Sequence, residues 1–118
     1  MTRERRRGRS AAGPELTVVY WRDIPAQVIA SADGGTAKRE LGQRFQEAID
    51  IAAMLAGGRD SDAYLADWRR SEPQPCEADL DAAVTAAAER LGRDYDPQRL
   101  ARLIESGGRD QPEPPPAD

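Results

Sequence analysis

The 118-residue chain has no histidine, one cysteine and one lysine. Lack of histidine removes the commonest general base and metal ligand, and with them every Ser-His or Cys-His catalytic pair. A lone Cys76 excludes a zinc knuckle, a CxxC redox pair and an internal disulfide. Secreted domains of this size more often carry several bridges, so the cysteine content favours a cytoplasmic protein. No run approaches the roughly 18 apolar residues of a membrane-spanning helix. Gly13, Pro14 and Glu15 interrupt any apolar core of an export signal behind the N-terminal arginines. The expectation is a soluble chain with no membrane contact.

Large apolar side chains are also scarce. Leu, Ile, Val and Phe together supply 18 residues, against 20 alanines, and all 18 lie between Leu16 and Ile104. One small core, hence one domain, is what such a stretch can build, and the polar ends have nothing to bury. A multidomain enzyme and a disulfide scaffold are excluded. Close packing of small side chains leaves few deep pockets, which argues against an enzyme.

The net charge of −4 is unevenly placed, because Arg3, Arg5, Arg6, Arg7 and Arg9 face only Glu4 and leave about −8 on the remainder. So acidic a body is poorly suited to neutralising a phosphate backbone, and contact with nucleic acid is an alternative confined to the arginine-rich arm. Arginine makes up all but one of the cations here, so the basic run reads first as a solubilising tail.

Residues 1–14 lack periodicity and read as a disordered arm, 15–106 as the domain, and 107–118, rich in Gly, Gln and Pro, as a flexible or polyproline tail. Residues 16–21 are β-branched and aromatic, with apolar groups on both faces, which predicts a central strand. Residues 26–30 form its hairpin partner, with Pro25 at the turn or at the start of the second strand, and 33–35 close the unit. Counting from Leu41 at 100° per residue, Phe45, Ala48, Ile49, Ile51, Ala52, Leu55 and Ala56 share one apolar arc broad enough to lie on a sheet. Gly57 and Gly58 stop that helix, and Asp60 or Ser61 caps a short one carrying Tyr64, Leu65 and an inward Trp68. Residues 71–78, with Pro73 and Pro75, are an irregular edge strand or a loop. Asp79 caps a helix with Leu80, Val84, Ala87 and Leu91 inward, ended by Gly92. Asp96-Pro97 starts a last helix burying Leu100, Leu103 and Ile104. The fold class is α+β: a small antiparallel sheet built on an N-terminal β-hairpin, packed against three to four helices.

The segments LTVVYWRDIPAQVI at 16–29 and AIDIAAMLAGGRDSDAYLADWR at 48–69 resemble the small bacterial "virulence factor" domain family, over about 16–106. The resemblance implies an uncharacterised domain, found alone or within a larger virulence protein. It implies no catalytic residues and no cofactor. Stand-alone relatives accompany folate and corrinoid methyl-transfer genes, so the implied partner is a protein of one-carbon metabolism, namely a corrinoid or folate methyl-transfer enzyme.

Two clusters are candidate sites for ligand or partner contact. Tyr20, Trp21, Arg22, Asp23 and Gln27 mix aromatic, charged and amide groups; the planar fork of Arg22 can grip a carboxylate or phosphate, with Asp23 orienting it. That reading makes the chain a small-molecule-binding domain or minor enzyme. The structural alternative puts Tyr20 or Trp21 in the core, pairs Arg22 with Asp23 in a turn, and bonds Gln27 to backbone. Tyr64 and Trp68, among Arg59, Asp60, Asp62, Asp67, Arg69 and Arg70, form a partner-docking surface or simply a capped helix, since that charge order is what the helix dipole selects. Asp60 and Asp62 alone do not make a metal site. Glu77 raises the pKa of Cys76 and makes it a poor nucleophile. The leading reading is a non-enzymatic protein-interaction module.

Overall fold

The first two apolar runs pair as the sequence predicts. In the computed structural model, which describes residues 13–58 and 62–110, β1 (Glu15–Trp21) and β2 (Ile24–Ala32) are antiparallel neighbours joined at Arg22-Asp23. Pro25 sits near the start of β2, opposite Tyr20, and the register slips between Val19 and Tyr20. A proline is tolerated at such an irregularity because no regular ladder bond is asked of it. The arginine arm, the Asp60 and Ser61 caps and most of the proline-rich tail lie outside the described residues.

The hairpin does not end at residues 33–35 as expected. The chain reverses there into β3 (Gly35–Glu40), which pairs with β2 along its length. Its sequence, Gly-Thr-Ala-Lys-Arg-Glu, is almost wholly exposed and lacks an apolar alternation. Charged side chains are what a free sheet edge carries to resist pairing with other chains. On the other side, β1 pairs with β4 (Trp68–Arg70) near its C-terminal end and with β5 (Gln74–Pro75) near its start. The sheet order is β3-β2-β1-β4, with β5 also on the edge of β1. Trp68 is therefore a strand residue rather than the end of a helical stripe, and residues 71–78 combine a two-residue strand with loop.

The first helix, α1 (Gln43–Leu55), buries Phe45, Ala48, Ile49, Ala52 and Ala53. Leu41 is buried too, but it precedes the helix. The expected inward positions Ile51 and Leu55 are instead 46% and 67% exposed. The apolar arc of α1 is wider than the surface available to cover it. After α2 (Asp62–Ala66), α3 (Leu80–Asp94) starts at Asp79, whose carboxylate accepts a bond from the Ala82 N–H. It continues through Gly92 and buries Ala83, Val84, Ala87 and Leu91. The last helix, α4 (Pro97–Glu105), is capped by Asp96 and buries Leu100 and Leu103. Helix α3 lies against β2 and β3, while α1 packs on β2 and α4. Arg44 ties the layers together by donating to the carbonyls of Gly92 and Tyr95. Trp21, Ile24, Val28, Phe45 and Ile49 are the large side chains at the centre, and the alanines of α1, α3 and β2 let these elements approach closely. Among the described residues no helix is long and apolar enough to cross a membrane.

Candidate functional site

The β1–β2 turn is the most heavily braced part of the domain. Arg22 adopts φ 54°, a left-handed conformation that costs a non-glycine residue roughly 1–2 kcal/mol. Contacts from two distant segments hold it there. Its backbone N–H donates to the Asp67 carbonyl at 3.0 Å, its Nε to Asp67 Oδ2 at 2.9 Å, and its Nη1 to the Gly107 carbonyl at 2.7 Å. The guanidinium lies 4.7 Å from the centre of the Trp21 ring. Asp23 is equally engaged: its N–H donates to the Gly108 carbonyl, Oδ1 accepts from Arg69 Nη2 at 2.8 Å, and Oδ2 accepts from the Asp110 N–H at 2.7 Å. Arg69 also donates from Nε to the Arg22 carbonyl and rests over the Tyr20 ring at 4.4 Å.

Trp21 anchors this brace from below. It is fully buried, donates from Nε1 to the Tyr64 carbonyl at 3.0 Å, and its ring meets that of Tyr64 at 5.8 Å between centres. Trp68 stands edge-on to Tyr64 at the same separation. Six of the seven predicted contact residues thus come together: Tyr20, Trp21, Arg22, Asp23, Tyr64 and Trp68. Gln27 does not join the turn. It lies on β2 opposite Val19 and Glu40, and lines a shallow depression of about 170 Å3 with Val19, Gln46 and Trp68.

Asp67 and Arg69, which the sequence places around the Tyr64–Trp68 segment, turn instead to Arg22 and Asp23, and the segment from Gly107 to Asp110 is the member of the brace that sequence reasoning did not single out. A signal for the last was present. Gly107 and Gly108 have φ of 73° and 95°, the Gly107 N–H bonds to the Ile104 carbonyl and the Gly108 N–H to the Leu103 carbonyl, a Schellman-type stop that reverses the chain onto the β1–β2 turn. A glycine pair after an apolar helix announces such a reversal as readily as it announces a tail.

Beside the brace, Tyr20, Asp23, Arg69, Glu72, Tyr95 and Asp110 border an open cleft of about 410 Å3. Three of the four charged residues on its border are paired within the chain, Arg69 with Asp23 and Asp110, at 3.1 Å, with Arg99, which lies 4.0 Å above the Tyr95 ring. Burial, reinforced by Tyr20, pushes the Tyr95 phenol above its ordinary pKa and keeps it protonated. Burial is likewise the largest cause raising the Cys76 thiol, with Glu77 and Glu15 adding to it, so this thiol is a poor nucleophile at neutral pH. Among the described residues no group of three or more Cys, Asp or Glu side chains is arranged to hold a metal ion. The arrangement positions backbone: opposite charges and aromatic faces close a strained turn.

No curated protein and no solved structure matches the chain. A family model described as Virulence factor matches residues 19–104, a span that begins within β1, takes in the braced turn and the Tyr64–Trp68 pair, and stops one residue short of the end of α4. With the turn, its aromatic support and nearly the whole helical layer inside that match, the chain belongs to the Virulence factor family.

Proposed function

We propose that the domain is a non-enzymatic accessory module that docks a protein on its α2–β4 surface. The observation that carries this reading is Leu65, 66% exposed beside the partly buried rings of Tyr64 and Trp68. An apolar and aromatic centre with exposed Asp62, Arg69 and Arg70 around it has the make-up of a protein-binding patch, in which aromatic residues and arginine carry most of the energy. Gln27, in the depression beside Trp68, supplies an amide at its border. The family resemblance directs the choice of partner to a corrinoid or folate methyl-transfer enzyme, with the pair working in cytoplasmic one-carbon metabolism. A small-molecule role for Arg22 and Asp23 is less well supported, because both spend their polar groups on the chain itself.

Titration calorimetry of the full chain against purified corrinoid- and folate-dependent methyl-transfer enzymes from the same cell tests the proposal. One of them binds, Leu65→Glu weakens that binding at least about tenfold, and Lys38→Glu on the β3 edge leaves it unchanged. Binding by none of them, or equal binding by both variants, refutes it.

A further inference from the structure

Three arginines gather toward the C-terminal end of α4. Arg99 and Arg102 stand one turn apart and Ser106 follows on the same face. The glycine stop at Gly107-Gly108 then reverses the chain and returns Arg109 beside them. With the buried Leu103 and with Asp110, these residues line a pocket of about 170 Å3. Three positive charges meet one negative charge there, an excess of two, on a chain whose net charge is −4.

Contacts within the chain use only part of that excess. Arg99 is committed: Nη1 donates to the Asp94 carbonyl at 3.2 Å, Nη2 donates to the Asp110 carboxylate at 3.1 Å, and the guanidinium covers the Tyr95 ring. Arg109 stays 3.7 Å from Asp67 Oδ2, an oxygen that already accepts from Arg22 Nε at 2.9 Å. The Arg102 guanidinium has no hydrogen bond or ion pair among the described residues, and Glu105, the one acid of α4, does not line the pocket. The helix dipole favours Arg102 in the last turn. It makes no demand on Arg109, which lies past the glycine stop.

We propose that this pocket binds a doubly charged phosphoryl group, as inorganic phosphate or as the head of a small phosphate monoester. Arg102 and Arg109 supply two planar forks whose donors the chain leaves unused, and each fork can bond two oxygens of a tetrahedral anion. Arg99, fixed by Asp94, Asp110 and Tyr95, adds charge as a rigid wall. A dianion cancels the excess of two charges, whereas a carboxylate cancels half of it. Size sets the other limit. The pocket is smaller than the roughly 300–1,000 Å3 that encloses a drug-sized molecule, so the organic part of a monoester stays in solvent. Asp110 at the pocket and the acidic remainder of the domain disfavour a long phosphate backbone. The site shares no residue with the α2–β4 docking surface.

Nitrogen-15 NMR of the full chain, titrated with inorganic phosphate and separately with ethyl phosphate in about 0.1 M sodium chloride, where distant charges are screened, tests the proposal. The Nε–H signals of Arg102 and Arg109 shift and saturate with a dissociation constant of about 1 mM or below, the scale of a few charge-assisted hydrogen bonds. Acetate at the same concentrations moves them far less. Arg102→Gln and Arg109→Gln each weaken phosphate binding at least about fivefold, while Arg90→Gln, which removes the same charge from α3, leaves it unchanged. All three side chains are exposed, so the circular dichroism of the variants matches that of the wild type. Ethyl phosphate binding as tightly as inorganic phosphate makes the ligand the head of a monoester, and a tenfold weaker ester makes it free phosphate. No saturation by about 10 mM, shifts confined to Arg3 through Arg9, or equal losses in all three variants overturns the proposal.

Discussion

Replacing Trp21 by alanine lowers the free energy of unfolding by about 3–5 kcal/mol, a large fraction of the stability of a domain of this size. The Trp21 side chain joins β1 to Tyr64 of α2 and to the segment after α4. The ring is fully buried at the end of β1, holds Tyr64 through its N–H, and faces Gly108 and the Arg22 guanidinium. Its loss leaves a cavity beneath the β1–β2 turn and removes the Nε1 bond to the Tyr64 carbonyl, and the neighbours cannot close in while Arg22 stays bonded to Asp67 and Gly107. Urea denaturation followed by circular dichroism measures the effect. Trp68→Ala, at a partly exposed strand position, costs distinctly less. A Trp21→Ala protein within about 1 kcal/mol of wild type, far below the usual loss for such a side chain, would show that the brace is not what holds this end of the sheet.

The second large effect concerns a residue with no side chain. Gly108→Ala costs about 3 kcal/mol, from two sources. At φ 95° any L-residue is strained, and the added methyl would sit 2.8 Å from the Trp21 ring, which is buried and has nowhere to move. Gly107→Ala is the internal comparison. Its φ of 73° also disfavours alanine, but the new methyl would meet the end of the Arg22 side chain at 3.4 Å, an ordinary contact. That variant loses about 1 kcal/mol, the backbone cost by itself. Equal losses from the two substitutions would mean that the Trp21 contact contributes nothing. The same strap explains why the domain's contacts continue to Asp110, beyond Ser106 where the sequence changes composition.

The elements that could be read from sequence were those with strong local chemistry. β1 announced itself by its β-branched and aromatic run, α1 and α3 by their apolar stripes, and α3 and α4 by the aspartates that cap them. β3 was hidden because an exposed edge strand carries Lys38, Arg39 and Glu40 where a buried strand would alternate. Ile51 and Leu55 misled for a related reason: periodicity shows that a helix face is apolar, whereas coverage depends on neighbours distant in the chain. The turn cluster was seen as a group of residues, but its partners Asp67 and Gly107 lie 45 and 85 residues away. No local pattern distinguishes an arginine aimed at a ligand from one aimed at its own backbone.

Arg22 closes the fold by bonding the Asp67 carboxylate and the Gly107 carbonyl, a role that stability reports. Its most direct measurement is urea unfolding of the full chain carrying Arg22→Ala, with no ligand or partner present. The predicted result is a loss of about 2 kcal/mol, the usual scale for hydrogen bonds to a charged group, because Asp67 and the Gly107 carbonyl lose their donor while alanine inherits the strained φ. Wild-type stability in that variant would contradict the account and return Arg22 to the role of a ligand-binding residue.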